Sequence, residues 1–126
     1  MTIIHTEKAP AAVGPYSQAI RTGNLLFASG QIGLDPATGA FNSDTVAGQA
    51  KQALSNVAAL LAEAGLTFDN VVKTTCYLDN MDDFAAFNEV YAGFFPGSKP
   101  ARSCVQARLP KGALCEVEVI AEFPQQ

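Results

Sequence analysis

Histidine is all but missing: His5 is the only one in 126 residues, and tryptophan is absent. A Ser-His-Asp or Cys-His catalytic engine would have to run on that single residue near the start of the chain, which speaks against nucleophilic chemistry of that kind. Cysteine is scarce and odd in number. Cys76, Cys104 and Cys115 are widely spaced, with no CxxC pair and no partnering histidine cluster. That pattern argues against a structural zinc site and suits free thiols in a reducing, cytoplasmic compartment. Positive charge is short as well. Eight Lys and Arg face twelve Asp and Glu, a net charge of −4, so there is no basic stripe to neutralise nucleic-acid phosphates. No run of 18 apolar residues is present to span a membrane, and the first ten residues lack the apolar stretch of a signal peptide. P-loop, GxGxxG, HExxH and GxSxG motifs are all missing, which excludes the usual nucleotide, metalloprotease and serine-hydrolase patterns. No cofactor and no metal are expected.

Charged residues make up only 16% of the chain and apolar residues 48%, against a usual charged share of about 25%. The length fits a single domain over residues 1–126, large enough to bury roughly two-thirds of its extended surface in one core. With so little charge to cover the outside, part of the apolar surface is expected to lie in an oligomer interface.

Short strands around two helices account for the patterning. Ile3-Ile4 opens as a strand, and Ala9 to Gly14 is a loop. Tyr16 to Arg21 and Leu25 to Ser29 are expected to pair across a hairpin turn at Thr22-Gly23-Asn24. Apolar residues at helical spacing (Val46, Ala50, Ala53, Leu54, Val57, Leu60, Leu61 and Ala64) predict a helix from Asp44, capped by Ser43 or Asp44 and stopped at Gly65. The β-branched run Val71 to Leu78 predicts a strand. A second helix is expected over about Met81 to Phe95, capped by Asp79 or Asn80, with Phe84, Phe87, Val90, Tyr91 and Phe94 on its apolar face. Ala101 to Ala107 and Ala113 to Phe123 are the last strands, joined by Leu109-Pro110-Lys111-Gly112. The order β-β-β-α-β-α-β-β predicts an α+β domain, a mixed sheet with both helices on one face. In the last strand Cys115, Val117, Val119 and Ala121 point one way, and Leu114, Glu116, Glu118 and Ile120 the other.

Several residues on this frame could carry chemistry. Arg102 begins an apolar strand after Pro100-Ala101, and a guanidinium there suits capture of a carboxylate. Its bland alternative is a solvated edge-strand Arg. Glu116, inside an apolar strand, would have a raised pKa if partly buried and could then work as an acid and a base near neutrality. Glu118 competes for that role, and alternation does not separate the two. Ser29-Gly30-Gln31 offers a glycine where a ligand could approach the backbone, or simply a tight bend. Tyr16 presents a hydroxyl from a loop. Asn88 is a polar residue in an apolar-rich helix. No His or Lys is positioned by sequence to lower the pKa of Cys104, so it is expected to line a pocket rather than attack. Lys73, within a strand, is expected to face solvent.

Taken in order, the fragments Ala9-Pro10-Ala11-Ala12-Val13-Gly14-Pro15-Tyr16-Ser17-Gln18, Ala28-Ser29-Gly30-Gln31-Ile32, Gln52-Ala53-Leu54-Ser55-Asn56-Val57, Val72-Lys73-Thr74-Thr75, Asp83-Phe84 to Asn88 with Tyr91, Pro100-Ala101-Arg102-Ser103-Cys104-Val105 and Leu109-Pro110-Lys111-Gly112-Ala113-Leu114, ending in Glu116-Val117-Glu118, resemble the RidA/YjgF family of reactive intermediate/imine deaminases. The resemblance covers nearly the whole chain. It implies a chorismate-mutase-like fold assembled as a homotrimer, with a barrel-like core and active sites between subunits. It also implies hydrolysis of enamines and imines released by pyridoxal-phosphate-dependent serine and threonine dehydratases, giving a 2-keto acid and ammonia without a cofactor. Arg102 then matches the residue that grips the substrate carboxylate and Glu116 the one that activates water. Tyr16, Ser29, Gly30, Asn88 and Cys104 match pocket positions, Cys104 mainly through its backbone.

The chain departs from the family pattern by one residue. Gln106-Ala107-Arg108 is shorter than the commoner segment, and a one-residue loss within a strand would turn over every later face. A bulge or a shorter turn before Leu109 would absorb it; otherwise Glu118 takes the place of Glu116. Two other functions fit less well: a non-catalytic trimer that binds a keto acid through Arg102, and an RNA-cleaving translation inhibitor, which the acidic charge disfavours.

Overall fold

Strict alternation in the last strand decides how the sheet is covered. In the computed structural model, which describes residues 1–125, Cys115, Val117 and Ala121 are fully buried and Val119 nearly so, while Glu116, Glu118 and Ile120 between them are only partly covered. One face of the sheet is therefore packed and the other open.

The elements are β1 (Thr2–Ile4), β2 (Ala19–Thr22), β3 (Leu25–Gln31), α1 (Val46–Glu63), β4 (Val71–Leu78), α2 (Phe84–Phe94), β5 (Ala101–Gln106) and β6 (Cys115–Glu122), with single 3₁₀ turns at Phe68–Asn70, Met81–Asp83 and Pro110–Gly112. They form one six-stranded mixed sheet in the order β1-β2-β3-β6-β4-β5. All neighbours are antiparallel except β4 and β5, which the α2 crossover makes parallel. The α+β architecture expected from the sequence is the one observed. Both helices lie on the packed face: α1 contributes Ala50, Leu54, Val57, Leu60 and Leu61, and α2 contributes Phe87. Burying each such Leu is worth about 1.5–3 kcal/mol. Among the described residues no helix is long and apolar enough to cross a membrane.

Several boundaries move for identifiable reasons. Tyr16 and Ser17 stay in the loop, because pairing with β3 starts only at Ala19. The cap of α1 is Thr45 rather than Ser43 or Asp44: its hydroxyl accepts from Gly48 N at 3.1 Å, and Ser43 braces the same turn through Thr45 N. At the other end Gly65 adopts φ 78°, with Gly65 N donating to Ala62 O and Leu66 N to Leu61 O. That pair of bonds is the Schellman closure, and it needs a residue free of Cβ penalty in the left-handed region. The second helix starts late. Asn80 caps a 3₁₀ turn through Asp82 N, and α-helical geometry begins only at Phe84. The last strand begins at Cys115, because the 3₁₀ turn at Pro110–Gly112 takes up the chain just before it.

Two departures from a regular strand-and-turn path govern which side chains reach the open face. Between Ala28 and Gln31 the pairing of β3 with β6 gains one residue, a bulge at Ser29-Gly30. The short segment 106–108, by contrast, leaves β5 in regular register with β4, and β6 pairs with β4 from Lys73 to Leu78 without a shift. Before β6 the chain turns through Lys111 (φ 57°) and Gly112 (φ 70°). Glu116 and Glu118 both lie on the open face of β6.

Candidate functional site

The bulge in β3 brings its backbone against the open face of β6. Gly30 lies so close to Glu116 that a Cβ built on it would stand 2.7 Å from the carboxyl carbon. Only glycine leaves the carboxylate that space, and bulges commonly serve to re-aim groups beside a site. Glu116 and Gly30 line a cavity of about 270 Å³ together with Tyr16, Gln31, Ile32 and Lys111. Burial, with a smaller push from Glu118, raises the Glu116 carboxyl above the ordinary carboxylate range. Glu118 sits on the same face but one cleft away, beside Phe27 and Thr75, and its Oε1 accepts from the Tyr77 hydroxyl at 3.2 Å. Of the two carboxylates, Glu116 is the one in the cavity with Gly30 and Tyr16.

Arg102 stands elsewhere. It lies on β5, the free edge of the sheet, opposite the buried Thr74 of β4. That register aims it to the helix face. Its Nη1 donates to Asn88 Oδ1 at 2.7 Å, and the guanidinium lies 4.8 Å from the Tyr91 ring centre and 5.5 Å from that of Phe84. Tyr91 is itself anchored, its hydroxyl 2.8 Å from Thr74 Oγ1. A planar cation stacked on aromatic faces and tied by one amide keeps its remaining N–H donors for an incoming carboxylate. Asn88 is therefore not simply solvated. Phe84, Asn88 and Tyr91, spaced i, i+4 and i+7, share one stripe of α2. The Arg102 cavity, about 300 Å³, is lined by Asn88, Tyr91, Ala92, Phe95, Lys99, Pro100 and Arg102.

The remaining expected residues divide between these two places. Cys104 follows Arg102 on the same face of β5, half-buried. Burial raises its thiol, against a smaller lowering by Arg102, so it is a neutral wall rather than a nucleophile. Tyr16 is largely exposed and borders both the Glu116 cavity and a neighbouring cleft. Ser29 belongs to that second cleft, and its hydroxyl donates to Ser17 O at 2.6 Å, tying the Tyr16 loop to β3. Lys73 is half-buried beside Glu118 and Thr75 rather than fully in solvent.

The structure thus joins Tyr16, Gly30 and Glu116 on one side, and Asn88, Arg102 and Cys104 on the other. It does not bring the two groups together within one chain. Residues not singled out as site candidates from the sequence are Gln31 and Lys111 beside Glu116, and Tyr91 and Lys99 beside Arg102. Tyr91 was visible in principle as the helical neighbour of Asn88; Lys99 carried no signal. Among the described residues no group of three His, Cys, Asp or Glu side chains could hold a metal.

Residues 6–123 match the family model described as Endoribonuclease L-PSP. A "RutC family protein" of Haemophilus influenzae is 54% identical over 124 residues, covering 94% of this chain and 95% of that protein. The 2-iminobutanoate/2-iminopropanoate deaminase of Mus musculus is 50% identical over 120 residues, 94% of this chain and 89% of that one. Among solved structures, E. coli TdcF with bound serine superposes with a TM-score of 0.94 at 43% identity, covering 98% of this chain and all of that one.

Proposed function

The chain belongs to the Endoribonuclease L-PSP family, which takes in the YjgF, RutC and RidA proteins, and from that membership we propose that it is an enzyme that hydrolyses reactive enamines and imines to a 2-keto acid and ammonia. The substrates proposed are 2-aminoacrylate, 2-iminopropanoate and 2-iminobutanoate, as released by pyridoxal-phosphate-dependent serine and threonine dehydratases. The mouse relative, named for this activity at 50% identity, supports the reading. The observation that carries it is the pair of complementary half-sites: a guanidinium held open for a carboxylate, and a half-buried carboxyl poised to exchange protons.

The chemistry asks little beyond these two groups. Arg102 grips the substrate carboxylate, with Asn88 and Tyr91 fixing its plane. An enamine takes a proton on its terminal carbon and gives one up from nitrogen, becoming an imine. Glu116, ionised, removes a proton from water as the oxygen attacks the imine carbon; the C=N electrons move to nitrogen, which takes that proton from Glu116. The resulting carbinolamine collapses: Glu116 takes the hydroxyl proton and passes it to nitrogen, the C–N bond breaks, ammonia leaves and the C=O bond forms. Imine plus water has become keto acid plus ammonia. A carboxyl with a raised pKa suits both directions of that transfer near neutrality, and holding acid and water together lowers the barrier through positioning.

Because Arg102 and Glu116 lie on opposite faces of the sheet, a complete site in this reading needs two copies, the β5 edge of one meeting the β3–β6 face of the next. The open face supports such an assembly. Phe27 and Val105 are 42% and 45% exposed there, alongside the half-buried Ile20 and Ile120, which is more apolar surface than solvent alone favours. We propose a cyclic homotrimer with these faces turned inward.

The test is keto-acid release from threonine or serine treated with a dehydratase, with semicarbazide as a trap for free imine. The protein is expected to speed keto-acid formation and deplete the trapped product, and Arg102→Ala to do neither. Wild type matching the blank overturns the deaminase reading.

A further inference from the structure

Lys99 shares its cavity with Arg102, and nothing in the reaction above uses it. The cavity walls are Tyr91, Phe95 and Pro100, and its polar groups are the Asn88 amide and two cations. Although the Lys99 residue is exposed, its ammonium is held: Nζ donates to the carbonyl of Phe95, the residue that ends α2, where the helix dipole favours a cation. One of three donors is used there, and two remain for a ligand. Pro100 disfavours helical backbone at Lys99, and β5 starts directly afterwards at Ala101. A cation that merely capped the helix would satisfy this bond from the solvent side. Here the capping lysine lines the same concavity as the substrate-binding guanidinium.

We propose that Lys99 extends this site to doubly anionic substrates, 2-imino acids whose side chain ends in a second carboxylate. The α-carboxylate sits on Arg102 and the terminal one on Lys99. The inference rests on the deaminase reading only in assigning Arg102 to the α-carboxylate. Two positive charges in one concavity with apolar walls concentrate anions of matching charge. The methyl or ethyl side chain of a monocarboxylic imine would give the ammonium nothing to bind.

Keto acids with the same carbon chain test this: 2-oxoglutarate against its 5-methyl ester, by calorimetry on the full chain in its native assembly. At low salt 2-oxoglutarate should bind about tenfold tighter, one charge-assisted hydrogen bond's worth. Lys99→Met should equalise the two ligands, and Lys99→Glu should reverse their order. Equal affinities in wild type, no binding of 2-oxoglutarate, or a preference that survives Lys99→Met overturns the inference. Arg102→Ala separates the two readings. It should abolish binding of both ligands. If both bind it as they bind wild type, the role of Arg102 falls and takes this inference with it. If binding needs Arg102 but ignores the second charge, only the role of Lys99 falls.

Discussion

Arg102 and Glu116 occupy opposite faces of the same sheet, separated by β4. Thr74, the partner of Arg102, and Tyr77, the partner of Glu116, lie three residues apart on that strand and so point to opposite sides. The Arg102 guanidinium reaches back to Asn88 on the helix side, and the Glu116 carboxylate lies against Gly30 on the other. No rotamer change brings the two together in one chain. It is this separation that, in the proposed reaction, calls for a second copy.

Arg102→Ala and Glu116→Gln should each be inactive alone and active when mixed. Co-refolded in equal amounts, a cyclic assembly would regenerate about one quarter of the wild-type sites, those where an intact Arg102 meets an intact Glu116 from the next copy. Keto-acid release from the mixture measures this. A mixture as dead as its parents would mean that both groups come from one chain.

Gly30→Ala should displace the Glu116 carboxylate, because the added Cβ enters the space that the carboxylate fills. An ångström of misplacement at a reacting group costs about a hundredfold in rate. The loss should fall on kcat, with KM little changed, since Arg102 lies on the other face. Steady-state kinetics distinguish this from a general loosening, which would lower Tm and raise KM as well. An unaltered kcat removes Glu116 from the reaction.

The pH dependence follows from the raised carboxyl of Glu116, caused first by burial and then by Glu118. Turnover needs the carboxylate, so it should fall with decreasing pH at a value above that of an ordinary surface glutamate. Stability moves in the opposite sense. The folded chain holds this proton more tightly than the unfolded one, so ionising Glu116 lowers stability as pH rises from the ordinary carboxylate range through the raised value. Glu116→Gln should accordingly melt above wild type on the alkaline side of that window, the difference vanishing in acid below it. Parallel Tm-against-pH curves for the two proteins would contradict the assignment.

Asn56 should matter for stability. Its buried amide donates to Ile32 O at 3.1 Å and Leu34 O at 2.9 Å, and its Oδ1 accepts from Gln52 at 2.8 Å. It thereby pins to α1 the segment after β3 that walls the Glu116 cavity. Asn56→Leu strands the buried Leu34 carbonyl, while Ile32 O keeps the Leu34 N–H at 2.9 Å, and should cost about 1–3 kcal/mol, measured by chemical denaturation at one fixed protein concentration. A change below about 0.5 kcal/mol, the usual range for surface substitutions, would mean that water replaces the amide fully.

Much of this molecule was legible along the chain. The strand Val71–Leu78 is bounded as its β-branched run predicts, because a strand buried on one face and flanked by a turn on each side has little freedom in where to stop. Gly65 ends α1 where a left-handed residue is required. The alternation around Cys115 to Ala121 told which side chains of β6 meet the core. Each of these depends on period and local conformation, which neighbours in sequence carry. Caps were less legible, since Ser43, Asp44 and Thr45 all have the chemistry and the backbone angle at Thr45 decides.

What the sequence by itself determined is the kind of domain, the faces of its strands and the residue types available to a site: one Arg after a proline, one Glu in an apolar strand, no second histidine. Only the tertiary structure placed Glu116, and not Glu118, in the cavity with Gly30 and Tyr16. Both point to the same face, and the choice turns on the bulge at Ser29-Gly30, which brings β3 against Glu116, while Tyr77 engages Glu118. It also decided that β5 and β6 keep regular register with β4 on either side of the segment 106–108. Lastly it decided that Arg102 and Glu116 are separated by the thickness of the sheet. Strand order and register set that distance, and they arise from contacts between residues far apart in the chain, which no local pattern encodes.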